Sequence, residues 1–317
     1  MPDNIITLVA AFGAGIVVGV LPLLLRGFRR EGRAAPAEAR PASHHPLRRY
    51  ALRVAAVSVV ATLAVTAAAG YLVVRLVTRS EPMTGVGIDE AVDQFRGSAS
   101  ETASSVHPAG SLGPPPDGVY TYRASGSWTT TVPVFGTERR VLPATVPAVL
   151  RADGDGWTLA FQYFDKHRIT LRFRGGAGPA LEEPEGETDS VRFGLDVRSS
   201  MTCAPDIVVR PVAPGTSWSQ SCRGVTRGVI NAMQELPSTT TLVGIDRLDV
   251  GGSPVDAWHV RRDSTVVGSE SGVLRSNTWY STTDGLLLRL ETESRTSGLV
   301  DHVEAIRLDL DSLTPRT

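Results

Sequence analysis

The sequence predicts a mainly β protein in which two N-terminal transmembrane helices precede a tethered, antiparallel, curved sheet. Three observations predict it: two long uncharged stretches, a segment rich in Ser, Gly and Pro after them, and two-residue alternation of apolar and polar residues from residue 118 onward. With 317 residues, of which 42% are hydrophobic, the chain has room for one large domain or two, and its composition excludes global disorder. A net charge of −1 gives no basic excess, so we expect no nucleic-acid partner.

The two uncharged stretches are residues 5–25 and 54–74. Each has about the ~20 residues that a helix needs to cross ~30 Å of hydrocarbon. The loop between them, 26–53, carries eight arginines and two glutamates, and such a loop marks the cytoplasmic side of a membrane. We therefore expect residues 1–80 to form a transmembrane hairpin whose amino terminus, like everything after residue 77, lies outside.

A cleaved signal peptide is the alternative for the first stretch. Its start, "MPDN", contains Asp3 and no Lys or Arg, whereas a signal peptide begins with a positive region. Cleavage would also leave the arginine-rich loop outside the membrane.

Arginine greatly outnumbers lysine, since Lys166 is the only lysine, and this bias is typical of a GC-rich bacterium. Together, this bias and the predicted transmembrane hairpin indicate the cytoplasmic membrane of a bacterium.

Residues 81–117 read as an extracytoplasmic tether. Within it, residues 87–96 place four apolar side chains on one helical face and predict a short helix. The rest is too rich in Ser, Gly and Pro to bury a core, so we expect a flexible linker.

Residues 118–317 are predicted to form the antiparallel β domain. Apolar residues alternate with polar ones in five runs, with turn signals between them, at 157–163, 169–173, 191–197, 286–290 and 306–310. Alternation indicates a sheet with one buried face. Residues 226–236 are the only helical candidate in this domain, and their helical pattern is weak. A sheet of eight or more strands must curl to hide its apolar face, which gives a half-barrel, a barrel or a sandwich. The side chains expected to line its concave face are Trp157, Phe161, Phe193, Leu286, Leu288 and Leu290.

Cys203 and Cys222 are the only cysteines. In an exported domain such a pair predicts a disulfide, here closing a loop worth ~3 kcal/mol in the chain-entropy model. Free redox thiols are the alternative, but the spacing is not C-x-x-C.

No local motif predicts catalysis, a cofactor or a metal. "GSESG" (268–272) has Glu270 where a nucleophile elbow needs serine. Asp153 and Asp155 lack the later acidic ligand of a calcium loop and read as turn formers. The extracytoplasmic histidines are His107, His167, His259 and His302. No two of them have the sequence spacing of a pair of metal ligands. We therefore expect a protein that is not an enzyme and binds no cofactor.

Residues 243–291 resemble a pattern in LolA-like, lipoprotein-carrier-type proteins of the bacterial cell envelope and in related families. The matching positions are Gly244, Val250, His259, Val260, Trp279, Tyr280, Ser281, Gly285, Leu286 and Arg289. The resemblance implies a curved antiparallel sheet whose concave face holds acyl chains or a partner. This chain departs from those carriers in having two predicted membrane helices and no evident helix to plug the concave face.

The leading hypothesis is a membrane-anchored, non-enzymatic envelope protein that binds a lipid, a lipoprotein or another envelope protein. One alternative is a structural or protein-interaction module of the envelope. Another is a cell-wall hydrolase, which would need a cleft with a serine, a histidine and a carboxylate in hydrogen-bond reach. The sequence sets neither the ligand nor the oligomeric state.

Overall fold

A computed structural model describes the chain at residues 83–98, 112–133, 136–176, 178, 180–192, 195–228, 231–298 and 300–317. The predicted transmembrane hairpin with its loop, most of the tether, His107 and Phe193 lie outside these residues. Within them, no helix is both long and apolar enough to cross a membrane.

The described chain contains one helix and fourteen strands. The helix, α1, runs from Ile88 to Gly97, close to the segment predicted to be helical. The strands are β1 (Gly118–Val132), β2 (Gly136–Val141), β3 (Thr145–Asp153), β4 (Gly156–Phe164), β5 (His167–Gly175), β6 (Leu181–Arg192), β7 (Leu195–Ala204), β8 (Ile207–Val209), β9 (Ser217–Arg227), β10 (Ala232–Val250), β11 (Ser253–Gly268), β12 (Glu270–Ser281), β13 (Leu287–Gly298) and β14 (Asp301–Leu310).

The strands form one antiparallel sheet that closes on itself. The last strand, β14, pairs with the first, β1, over ten residues from Tyr122–Leu310 to Thr131–Asp301. β2 and β3 both pair with β1, as two halves of one strand position, and β8 pairs with β6 beside the end of β7. The ring therefore has 12 strand positions. The mainly β, antiparallel prediction is confirmed, and of the three predicted shapes the barrel is the one formed.

The two ends of the barrel differ. At the closed end, between the starts of β1, β4, β6, β9, β11 and β13, the lumen is filled by aromatic and aliphatic side chains. The largest fully buried ones at this end include Trp157, Tyr120, Tyr122, Phe161 and Phe173. Burying them supplies most of the driving force for folding, since each such side chain contributes about 1.5–3 kcal/mol or more when removed from water.

Chain connections cover the closed end. The connection between β7 and β9, which carries β8, is held by the Trp218 indole N–H donating to the Ile207 carbonyl at 3.3 Å and the Gln220 amide donating to the Pro205 carbonyl at 2.7 Å. The Tyr122 hydroxyl donates to the Leu287 carbonyl at 2.6 Å, so this buried phenol is satisfied.

The opposite end, called the rim below, is formed by the β1–β2, β4–β5, β6–β7, β9–β10, β11–β12 and β13–β14 hairpins. The chain preceding α1 lies beside it, because the Asp165 N–H in the β4–β5 hairpin donates to the Thr84 carbonyl at 2.9 Å. α1 packs Ala91 and Val92 against Val119 on the outside of β1.

Two local predictions are wrong. Residues 191–197 are not one strand, because β6 ends at Arg192 and β7 begins at Leu195. The alternation in that run comes from two strands on either side of a hairpin. Residues 226–236 are not helical and instead span the end of β9 and the start of β10, where pairing with neighbouring strands outweighs a weak local helical pattern.

Candidate functional site

A cavity of about 370 Å³ occupies the lumen between the packed core and the rim. Its described lining combines hydroxyl-bearing and aliphatic side chains with one amide, from Gln234. The hydroxyl-bearing residues are Thr130, Thr188, Ser190, Ser199, Thr226, Ser294 and Thr296, and the aliphatic ones are Val132, Leu195, Val197, Leu236, Val266, Leu274 and Val300. Four further lining residues are titratable: Arg192, Glu270, His302 and Glu304. The wall is therefore amphipathic and carries both signs of charge.

Arg192 spans the lumen. It projects from the rim end of β6, and its Nη1 donates to the Thr130 hydroxyl oxygen on β1 at 2.9 Å. β1 and β6 are separated in the ring by three strands, β3, β4 and β5. Burial lowers the pKa of the guanidinium, while Glu304, Glu138 and Glu270 oppose that shift. Arg192 remains charged and forms a strut between two walls of the barrel.

The far end of this strut meets a polar network on β14. Thr130 and His302 are direct cross-strand partners, and the Thr130 hydroxyl lies 3.1 Å from His302 Nδ1. His302 Nε2 is 3.6 Å from a carboxylate oxygen of Glu304. On the neighbouring strand pair, the Thr296 hydroxyl donates to Glu270 at 3.0 Å. Thr296 also sits opposite His302, so both carboxylates reach one level of the lumen.

An aromatic group packs on the other side of the strut, around His167. Its ring centroid lies 4.9 Å from that of Trp128 and 5.4 Å from that of Tyr163. Burial, together with the positive charges of Arg192 and Arg140 and with His302, lowers the pKa of His167 to about 3. The imidazole is therefore neutral at ordinary pH, and this side of the lumen is filled rather than open.

The disulfide lies in the lumen wall. Cys203 and Cys222, directly paired across β7 and β9, are joined with an S–S distance of 2.06 Å, in agreement with the predicted bridge. Cys222 packs with Leu236 and Val266, with Leu274 against the same cluster. Because these three apolar residues also line the cavity, the bridge stiffens the apolar part of its wall.

Three residues of the envelope-protein resemblance, His259, Trp279 and Arg289, form a column on the outside of the barrel. The His259 and Trp279 rings stack at 4.2 Å with an interplanar angle of 19°, and the Arg289 guanidinium lies 5.3 Å from the Trp279 ring centroid. Asp246 accepts from the Trp279 indole N–H at 2.8 Å and lies 3.2 Å from His259 Nδ1. Tyr280 points the other way and packs against Phe173 in the core. The motif is therefore explained by strand packing, away from the cavity.

The predicted lining residues lie in the packed half of the barrel. Trp157, Phe161, Leu286 and Leu288 are buried in the core, and Leu290 packs against it half-buried. None of these five is among the described residues lining the 370 Å³ cavity, and Phe193 lies outside the described residues. Their role in ligand contact stays a prediction.

The titratable lining residues were not singled out by the sequence. Arg192 was expected on a wet strand face, but the hairpin after it reverses the chain and leaves its side chain in the lumen. Glu270 and Glu304 lie near the rim ends of their strands, where polar side chains face the lumen. One feature of the sequence could have indicated such residues: an inward-facing series that begins apolar and becomes polar before the strand ends. In β14, Leu310, Leu308 and Ile306 are followed on the same face by Glu304 and His302.

A larger concavity of about 1140 Å³ lies on the outer side of β9–β14. Its outward side chains are mostly polar, and it includes an ion pair in which Arg275 Nε lies 2.6 Å from Asp263. Val273 and Val303 expose apolar surface there. Among the described residues, no group of three or more His, Cys, Asp or Glu side chains is placed to hold a metal ion.

No family model and no curated protein matches this chain. Among solved structures, the hypothetical lipoprotein YmcC from Escherichia coli is 12% identical, with 61% of this chain and 85% of that chain covered and a TM-score of 0.31. A protein from Bacteroides fragilis described as exported, with a YmcC-like fold, is 10% identical, with 64% and 99% covered and a TM-score of 0.31. Likenesses this low support no inference about this chain.

Proposed function

We propose that the protein is a non-enzymatic binding protein of the bacterial cell envelope, whose barrel lumen holds a small amphipathic ligand near the rim. The observation that carries the proposal is the division of the lumen into a packed closed end and an amphipathic cavity at the rim. A barrel sealed at one end and hollow at the other is a common arrangement for small-ligand binding.

The envelope location is supported by two features. The predicted transmembrane hairpin would hold the barrel outside the cytoplasmic membrane. The Cys203–Cys222 disulfide suits an oxidising compartment.

The cavity volume narrows the ligand. About 370 Å³ is at the small end of the ~300–1,000 Å³ range of ligand pockets. A whole two-chain lipid is too large for it, whereas a head group with a short or partly inserted chain fits. The Leu236–Val266–Leu274 patch would contact the apolar part, and the hydroxyl and charged groups would contact the polar part.

The test compares two serine substitutions on β7. Ser199 lines the cavity, and its neighbour Ser200 points to the other face of the strand. We expect Ser199→Phe to fill the cavity and remove the co-purifying ligand, and Ser200→Phe to retain it. The full-length protein is purified, extracted with organic solvent and analysed by mass spectrometry. Equal ligand content in the two variants, or an empty wild-type protein that binds no added amphiphile, would contradict the proposal.

A hydrolase is the alternative that one observation favours, because Thr130, His302 and Glu304 stand in the order of a nucleophile, a base and a carboxylate. The structural interpretation is preferred, since Thr130 is only 2% exposed and its hydroxyl already accepts from Arg192. Hydrolysis of short p-nitrophenyl esters that is lost in His302→Gln would establish the hydrolase instead.

A further inference from the structure

We infer that the head group of the luminal ligand is uncharged overall and rich in hydroxyl groups, as in a sugar or another polyol. The inference rests on the proposed function and names the ligand class for the same cavity. Three features carry it: the presence of both signs of charge on the wall, the number of wall hydroxyls and the position of the apolar patch.

The charged groups of the cavity already face one another. Arg192 reaches Thr130 beside His302, and Glu304 lies 3.6 Å from His302. The carboxylate of Glu270 accepts from Thr296. Besides His302, the lining contains one guanidinium and two carboxylates, and Glu304 and Glu270 both act on the pKa of Arg192, so both signs of charge face the same space. A ligand with a full charge would gain from one sign and lose to the other in a medium of low dielectric constant.

The hydroxyls suit a partner that both donates and accepts. Four of the seven wall hydroxyls already bond to one another or to Arg192 and Glu270, namely those of Thr130, Ser199, Thr226 and Thr296. A Ser or Thr hydroxyl has one O–H donor and two acceptor lone pairs, so a hydroxyl with one such bond keeps capacity for another. The seven hydroxyls surround the cavity on β1, β6, β7, β9 and β13, so a head group with hydroxyls in several directions can be satisfied from all sides. Guanidinium and carboxylate groups also bond to neutral hydroxyls without requiring a counter-charge.

The apolar patch fixes the orientation. Leu236, Val266 and Leu274 lie together on neighbouring strands beside the disulfide, whereas His302, Glu304 and the tip of Arg192 lie at the β14–β1 seam. The ligand therefore places its apolar part toward the β10–β12 wall and its hydroxyls toward the rest of the lining.

The experiment uses amphiphiles that share one octyl chain and differ in head group. The full-length protein in lipid nanodiscs, stripped of co-purified ligand, is titrated below the critical micelle concentrations with octyl glucoside, octyl sulfate, octylamine and octylphosphocholine. Binding is measured by isothermal titration calorimetry against empty nanodiscs. We expect octyl glucoside to bind at least 10-fold more tightly than any of the other three. Tighter binding of a charged or zwitterionic member overturns the inference.

Variants locate the binding and test the charge argument. Thr188→Val keeps the shape of a lining residue and removes its hydroxyl, so octyl glucoside should bind about 2- to 10-fold more weakly, as expected for one lost hydrogen bond. Ser200→Ala, on the outer face, should change nothing. Arg192→Gln leaves the two carboxylates uncompensated and should shift the preference toward octylamine. An unchanged head-group preference in Arg192→Gln, or equal effects of the valine and outer-face variants, overturns the inference.

The two proposals fail in different ways. If solvent extraction of the native protein yields a charged amphiphile, the proposed binding function stands and the neutral head group is wrong. If the native protein is empty and no octyl amphiphile binds, the proposed function itself is wrong.

Discussion

Arg192 shows how one residue can shape a lumen. A guanidinium taken out of water loses hydration, and its lowered pKa reflects that loss. The barrel offsets the loss with the Thr130 hydroxyl and with carboxylates that face the same space. The result is a polar bar between a filled aromatic side and a hollow side, which agrees with a described cavity lining that includes β1 and the β6–β14 part of the wall but no residue of β2–β5.

His167 makes a residue-scale prediction about pH. Its folded pKa, about 3, lies below the ordinary value of 6.5, so the unfolded chain binds a proton that the folded chain excludes. The free energy of unfolding should therefore be largest above pH 6.5 and should fall as pH drops toward 3, by at most about 5 kcal/mol from this group.

Urea unfolding of the protein and of His167→Phe, measured between pH 4 and pH 8, checks this. The variant should lose part of the acid sensitivity between pH 6.5 and pH 4 and keep the rest, which comes from carboxylates. Parallel stability profiles for the two proteins would show that His167 does not titrate as described.

At the element scale, the outer column across β10–β13 joins four strands with one set of side chains. Trp279 is 6% exposed although it points outward, because His259 and Arg289 cover its two sides. We expect Trp279→Ala to destabilise the barrel by roughly 3 kcal/mol, as for large aromatic truncations. The His259–Trp279 pair should contribute about 0.5–1.5 kcal/mol of that.

A double-mutant cycle on His259→Ala and Trp279→Ala, read by urea unfolding, measures the coupling. Trp279→Phe is the matched control, since it keeps a ring in the stack and removes the N–H that donates to Asp246. If the effects of the two single substitutions on the free energy of unfolding are additive, the stacking of His259 on Trp279 does not stabilise the barrel.

Individual strands and turns were the features of the structure that the sequence predicted best. Leu286 and Leu288 are buried and Leu290 is half-buried, but the expected alternation is broken at Leu287, which is also buried and lies opposite Tyr280 beside a bulge; Gly285 marked the turn before β13. Gly285 has φ +73°, and a side chain there would come within 3.3 Å of Trp157 and 3.2 Å of Leu181. Closure of the ring was not predictable, because the β1–β14 pairing joins residues far apart in sequence whose local patterns are the same in an open sheet.

The candidate site was less predictable than the fold. Its groups come from the rim ends of strands, where polar inward residues resemble solvated ones in the sequence. Arg192 and Glu270 flank hairpins, and nothing in their local sequence distinguishes lumen from solvent. Only the closed ring decides which side is inside.

At the scale of the whole molecule, the disulfide ties two neighbouring strands around the connection that covers the closed end. Because its cysteines are separated by 19 positions in the sequence, its reduction should lower the free energy of unfolding by ~3 kcal/mol. Urea unfolding with and without a reducing agent measures the loss. Cys203→Ala/Cys222→Ala should match the reduced protein and be insensitive to reductant; a reductant effect that persists in this double variant would contradict the assignment.

The C-terminal end of the barrel domain packs beside α1, because Arg316 lies 2.6 Å from Asp89 and the Arg96 guanidinium donates to the Thr317 carbonyl at 2.6 Å. The backbone at Thr84 is bonded to the β4–β5 hairpin at the rim, whereas Arg316 pairs with Val119 at the closed end. A bulky fusion partner joined just before residue 83 would stand beside the rim and obstruct whatever enters there.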